Sequence, residues 1–98
     1  MAASQTEHRD EDARPKFGKE RAIPLRGLKE DARVQLVEDE EFVGRLEVTH
    51  RGTTWRYGVD SDQRVSFLDV RDQDRQRVDI GEPDWMYSVF VQVGVEDR

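Results

Sequence analysis

The chain has 98 residues, a length that suits a single domain. Charged residues make up 39% of it and hydrophobic residues only 35%, so its core must be small. It contains no cysteine, which excludes disulfides and thiolate metal sites. Because it has no apolar run of membrane-spanning length and no apolar signal segment near its start, the sequence predicts a cytoplasmic protein with no membrane contact.

Charge divides the chain into three predicted segments. Residues 1–13 carry four acids and one base without hydrophobic periodicity, which predicts a disordered acidic tail. Residues 14–29 carry six bases and one acid, and they hold every lysine of the chain; two prolines and two glycines there exclude a long helix. We interpret this segment as a basic arm. Residues 30–98, with seventeen acids and nine bases, are predicted to form a small β domain.

The balance of charge types is halophile-like. The net charge is −6, and arginine outnumbers lysine thirteen to three. Carboxylates bind water tightly in concentrated salt, whereas long lysine stems add apolar surface that salt drives together. A salt-accumulating cell explains this composition, and so does a genome whose codons favour arginine.

Alternating polarity between residues 33 and 59 predicts three consecutive antiparallel strands. In the third of them Trp55, Tyr57 and Val59 share one face. The dipeptide Arg51-Gly52 suits a two-residue hairpin turn. A glycine within the second strand, Gly44, predicts a bulge or bend that curls the sheet.

Three further strands are predicted after this stretch, at residues 64–70, 77–80 and 85–95. In the fourth strand Val65 and Phe67 are expected on one face and Val70 on the other. The fold class is therefore all-β. We predict a small five- or six-stranded antiparallel barrel or rolled sheet, of SH3-like or Sm-like size, with a disordered N-terminal tail.

The segment Val-x-Leu, an acidic turn and Phe-Val-Gly-Arg-Leu, at residues 34–46, resembles the first strands of Sm-like small barrels. The resemblance implies a barrel of that size. The Asp and Met-Asn signature that carries RNA chemistry in that family is absent, because the corresponding place reads Thr-His-Arg-Gly-Thr-Thr-Trp. No site residue is therefore carried over from the family.

The run from Trp85 to Val95 is the most apolar in the chain. As a strand it places Trp85, Tyr87 and every second residue after them on one apolar face, central in the sheet or at the interface of a weak homodimer. Val91 lies in the middle of that face, so Val91→Asp is expected to unfold or aggregate the protein.

No residue pattern indicates catalysis, a metal site or a cofactor. The two histidines, His8 and His50, are isolated and are expected on the solvated surface. The acid pairs at 60/62 and 72/74 have the spacing of calcium ligands, but the glycine and glutamate that such a loop needs are missing. The sequence therefore predicts a protein that is not an enzyme.

The basic arm is the candidate binding segment. Two lysines flank a phenylalanine, a unit suited to phosphates and one stacked base. The rival interpretation is an arm that lies on the chain's own acidic domain, with Ile23, Leu25 and Leu28 docked and one helical turn from residue 28. The candidate nucleic-acid-binding residues are Lys16, Phe17, Lys19, Arg21, Arg26 and Lys29.

Two functions follow as expectations. The first is a non-catalytic binding module that docks a protein partner, as a monomer or a weak homodimer. The alternative is an RNA-binding accessory protein that uses residues 14–29. An exposed tryptophan at 55 or 85 would favour the alternative, whereas buried aromatic rings would serve as core.

Overall fold

The computed structural model describes residues 18–25 and 28–97. The predicted tail at residues 1–13 lies outside the described residues. The described chain forms one sheet and one helix. The elements are β1 (Glu20–Pro24), β2 (Asp31–Val37), β3 (Gly44–His50), β4 (Thr53–Val59), β5 (Arg64–Arg71), α1 (Met86–Val93) and β6 (Glu96–Asp97).

The strands follow each other in the sheet in chain order. The first five pair antiparallel with their neighbours, and the two-residue β6 pairs parallel with β5. The sheet stays open, with β1 and β6 at its edges. This confirms the predicted small antiparallel sheet in its open form, and the closed barrel is not observed.

The central three strands match the prediction closely. Trp55, Tyr57 and Val59 are buried on one face of β4. Arg51 and Gly52 form the tip of the β3–β4 hairpin with φ angles of 52° and 82°, the conformation that a tight two-residue turn requires. The period-two pattern therefore placed these strands and their inner face correctly.

Strand β1 was not predicted, and it lies inside the basic arm. It pairs along its whole length with β2, from Glu20 opposite Gln35 to Pro24 opposite Asp31. Ile23 and Leu25 are buried as expected, whereas Leu28 is half-exposed. The predicted helical turn from residue 28 is wrong, because β2 already begins at Asp31.

The irregularity in the sheet is not at Gly44, which simply begins β3 opposite Val59. It lies where β4 pairs with β5, because Arg56 is opposite Asp69 while the next residue, Tyr57, is opposite Phe67. The skipped residue is Leu68. Such a bulge adds one residue to β5, so the inward-facing positions of β5 are shifted by one residue beyond it.

The bulge has a direct effect on the core. Val65 and Val70, an odd number of residues apart, are both buried on the inner face, opposite Val59 and Trp55. The prediction that they face opposite sides is wrong for this reason. The predicted strand at residues 77–80 is also absent, since only a single bridge joins Arg77 to Arg71.

The largest correction concerns residues 85–95, which form a helix and not a strand. The buried residues of α1 are Met86, Val89, Phe90 and Val93, a spacing of three and four that belongs to a helix face. Gly94 ends the helix with a φ of 82°, and its N–H donates to the carbonyls of Phe90 and Val91.

This helix covers the apolar face of the sheet. A sheet with one hydrophobic face must bury that face against another element. The core combines apolar side chains of the sheet's inner face, the residue that follows β1, and the buried side of the helix. The core consists of Ile23, Leu25, Ala32, Val34, Leu46, Val48, Trp55, Tyr57, Val59, Val65, Val70, Met86, Val89, Phe90 and Val93.

Candidate functional site

A groove of about 670 Å³ lies between the end of β1 and the outer side of α1. Pro24 and Leu25 form one wall. Four residues of the helix form the other, and Gln92 ties the walls together, because its Nε2 donates to the Pro24 carbonyl at 2.9 Å. The helix residues that line the groove are Tyr87, Ser88, Val91 and Gln92.

The helix side of this groove is apolar and exposed. Tyr87 is 70% exposed and Val91 60% exposed, one helical turn apart. Residues 85–95 form the longest uncharged run of a chain in which 39% of residues are charged. A helix face that only met water would be expected to carry charge. The groove is therefore an apolar surface suited to a binding site.

Tyr87 and Val91 were missed as exposed residues because their run was interpreted as a strand. The signal that identifies the helix is present in the sequence. Met86, Val89, Phe90 and Val93 repeat at helical spacing, and Gly94 follows as a helix stop. The expectation that Val91→Asp unfolds the protein loses its basis, since the Val91 side chain faces solvent.

A second cluster surrounds Glu30, at the start of β2. The Glu30 Oε1 lies 2.6 Å from Nε2 of His50. The two oxygens of the Glu30 carboxylate also accept one hydrogen bond each from the Arg51 guanidinium. The His50 side chain is only 12% exposed, with its ring edge-on to Trp85 at a centroid distance of 5.2 Å. The expectation of a solvated His50 is therefore wrong, and the ring is a structural contact.

The cluster changes the acidity of Glu30. Hydrogen bonds from Arg51 and then His50 lower the pKa of Glu30 from 4.5 to about 2. The same contact raises the pKa of Arg51. Since Glu30 precedes β2 and Arg51 is at the β3–β4 turn, the carboxylate links the β1–β2 connection to the β3–β4 turn.

We expect Glu30→Gln to reduce the acid sensitivity of the protein. The folded-state pKa of Glu30 is depressed, so its stabilisation is complete above pH 4.5, falls as the pH drops, and is lost near pH 2. Urea unfolding at steps between these pH values should give a smaller pH slope for the variant than for wild type. Glu40→Gln, which removes an exposed carboxylate from the β2–β3 turn, is the control. Equal slopes for Glu30→Gln and wild type would contradict the role of the cluster.

The outer face of the sheet is polar and its charges are paired. The Arg56 and Arg71 side chains lie 3.2 and 3.1 Å from the two carboxylate oxygens of Asp69. Arg45 contacts Glu47 at 3.0 Å and Asp39 at 3.1 Å. Because these arginines already have carboxylate partners, this face is a balanced ionic network and is poorly suited to phosphate binding.

The predicted nucleic-acid-binding residues that the structure describes do not lie together. Lys16, Phe17 and Arg26 lie outside the described residues. Lys19 and Lys29 are both exposed, but Lys19 precedes β1 and Lys29 follows it, so a whole strand of about 17 Å separates them.

Arg21 also differs from a simple phosphate ligand. It lies on β1 opposite Val34, whose side chain is in the core. Its side chain is half-buried, and the enclosed Nη1 has no hydrogen-bond partner within residues 18–25 and 28–97. Of the three candidate nucleic-acid-binding residues that the structure describes, only the two lysines present their charge freely to solvent.

The aromatic rings are mostly committed to the core. Trp55 is 6% exposed and donates from Nε1 to the Gly81 carbonyl at 3.1 Å. Tyr57 is fully buried, and Trp85 is half-buried against Trp55 at a centroid distance of 5.5 Å. The expectation of core aromatics holds for these three, whereas Tyr87 is the exception.

The described residues offer neither a metal-ligand cluster nor a membrane-spanning helix. No group of three or more histidine, cysteine, aspartate or glutamate side chains in this part of the chain is arranged to hold a metal ion. Within residues 18–25 and 28–97, no helix has the length and apolar character that a membrane crossing requires.

Comparisons with protein-family models, curated proteins and solved structures find no match to this chain. The resemblance of residues 34–46 to Sm-like barrels has no further support from them. The groove, the Glu30 cluster and the paired outer face are therefore the features that bear on function.

Proposed function

We propose that the chain is a cytoplasmic, non-catalytic binding module that docks a protein partner on the groove between β1 and α1. One observation carries the proposal: Tyr87 and Val91 are largely exposed on a helix without a single charge. Contact regions at the centre of protein interfaces are depleted in charge and enriched in tyrosine.

The chemistry of the groove supports a macromolecular partner. Burying the apolar surface of Tyr87 and Val91 in a contact would lower the free energy by about 25 cal/mol for each Å² buried. The neighbouring Ser88 and Gln92 supply hydrogen-bonding groups beside the apolar pair. This combination of an apolar anchor and a polar margin is typical of a docking surface.

The state of the titratable groups favours binding over catalysis. His50 contacts Glu30 and Trp85, and Asp69 is occupied by two arginines. Catalysis needs an acid, base or nucleophile held close to a substrate cavity. The groove between β1 and α1 is lined by proline, leucine, tyrosine, serine, valine and glutamine, none of which is an acid or a histidine.

The alternative proposal, an RNA-binding accessory protein using residues 14–29, has weaker support. Stacking of bases on Trp55 or Tyr57 is blocked by their burial. The arm's exposed described charges, Lys19 and Lys29, lie at opposite ends of β1. We therefore place the protein-docking function first.

A photo-reactive amino acid at position 87 tests the proposal. In cells of the native host, we expect irradiation to give a discrete protein adduct from position 87. The same probe at Gln73, which is exposed beside the polar outer face, should give none. Absence of an adduct at 87, or equal labelling at both positions, would contradict docking at the groove. An adduct that nuclease removes would support the RNA alternative.

A further inference from the structure

We infer that the partner that fits this groove is a second copy of the same chain, bound about a two-fold axis with the two α1 helices antiparallel. The inference rests on the proposed docking function and names its occupant. It is drawn from the order of side chains along the outer face of α1, from the edge of the sheet beside it, and from the distribution of charge.

The outer face of α1 is complementary to itself. Tyr87 and Val91 are four residues apart, and so are Ser88 and Gln92. When two identical helices meet antiparallel about a two-fold axis, the first member of each pair faces the second member in the other copy. Tyrosine then packs on valine twice and serine meets glutamine twice, so apolar groups face apolar groups and polar groups face polar groups.

The hydrogen bonds of this face leave a matching donor and acceptor. Nε2 of Gln92 donates to the Pro24 carbonyl at 2.9 Å and to Oγ of Ser88 at 3.2 Å. The serine hydroxyl proton and the glutamine Oε1 have no partner within the described residues. In the antiparallel arrangement, the Ser88 hydroxyl of one copy can donate to Gln92 Oε1 of the other.

The neighbouring edge strand is a poor alternative contact. Pro24 ends β1 without an N–H, and its carbonyl already accepts the hydrogen bond from Gln92. Both features interrupt the row of backbone groups that strand addition requires. A contact beside Pro24 therefore relies on the side chains of α1 and not on the backbone of β1 at that point.

Charge and area set the strength of the association. Each copy carries a net charge of −6, so two copies repel, and this repulsion weakens as salt screens it. The outer face of α1 has no charge to desolvate. A helix of this length is only about 12 Å long, so a contact limited to it buries less than the ~800 Å² per copy of a stable complex. The dimer should be weak and favoured by salt.

Sedimentation equilibrium of the full chain tests this arrangement. We expect the dissociation constant to fall about tenfold or more between 0.1 M and 1 M KCl, as the screening length drops from about 10 to about 3 Å. Tyr87→Glu and Val91→Lys, both at exposed positions, should each be folded and monomeric on their own. Their equimolar mixture should regain a heterodimer, because the introduced carboxylate of one copy then faces the introduced ammonium of the other.

Each outcome decides the inference. It is overturned if wild type stays monomeric at about 0.5 mM protein in about 1 M KCl, or if the mixed variants do not associate while wild type does. The photo-reactive probe at position 87 separates the two proposals. An adduct of twice the chain mass supports self-association, whereas an adduct of another mass with a monomeric wild type leaves the docking function and removes its proposed occupant. A monomer with no adduct removes both.

Discussion

Replacing Val89 with Asp is expected to unfold the protein at neutral pH. Val89 is fully buried on the inner face of α1, between the helix and the sheet. A carboxylate there has no partner, and an uncompensated buried charge costs about 3–5 kcal/mol. That is a large part of the roughly 5–15 kcal/mol that holds a domain folded. Urea denaturation followed by circular dichroism measures the loss.

Val91→Asp is the matched control for this experiment. It makes the same substitution two residues along the same helix, at a position that is 60% exposed. We expect its midpoint of unfolding to stay close to that of wild type. If the two variants are equally destabilised, residues 86–93 do not form a helix with one buried face.

Replacing Tyr57 with Ala should have a comparable effect. The Tyr57 ring is fully buried, edge-on to Phe90 of α1 at a centroid distance of 5.0 Å and to Phe67 of β5 at 5.8 Å. Removing a large buried aromatic ring leaves a cavity and typically costs about 3–5 kcal/mol. Thermal and urea unfolding should both show a loss of that size.

Tyr57→Phe separates the ring from its hydroxyl. The hydroxyl donates to Oε2 of Glu82 at 2.7 Å, and losing one such bond typically costs about 1 kcal/mol. We expect this variant to keep most of its stability. A loss in Tyr57→Phe as large as that in Tyr57→Ala would mean that the hydrogen bond, and not packing of the ring, holds the helix and the loop before it against the sheet.

The central strands were predictable because their information is local. Trp55, Tyr57 and Val59 alternate with polar residues, and a strand places alternate side chains on opposite faces. The turn at Arg51-Gly52 needs positive φ at both positions, which glycine adopts freely and which the sequence signals directly. Neither feature depends on distant parts of the chain.

Strand β1 was not predictable in the same way. Its sequence, Glu-Arg-Ala-Ile-Pro, has one clear apolar residue and a terminal proline, so it lacks the alternation of a typical strand. An edge strand needs to pair on one side only, and proline is tolerated there. Pairing with β2 determines its conformation, and that partner is known only once the sheet is assembled.

The candidate site was also hidden for a tertiary reason. The residues of the basic arm could be selected from the sequence because a cluster of charges is visible there. The groove could not, because it depends on whether Tyr87 and Val91 face solvent. The Glu30 cluster joins residues about twenty positions apart, and no local pattern brings His50 and Glu30 together.

The sequence alone determined a small, acidic, antiparallel β-sheet with a tight hairpin at its centre, since period-two polarity and a glycine turn act over a few residues. Tertiary structure decided the form of residues 86–93, because a run rich in β-branched valine favours a strand by local propensity, against the helical spacing of its buried residues. Without the helix, the open sheet would leave one apolar face in water. The helix covers that face and buries Met86, Val89, Phe90 and Val93 together. A strand would have placed Val89 and Phe90 on opposite faces, so the burial of both favours the helix and leaves Tyr87 and Val91 outside.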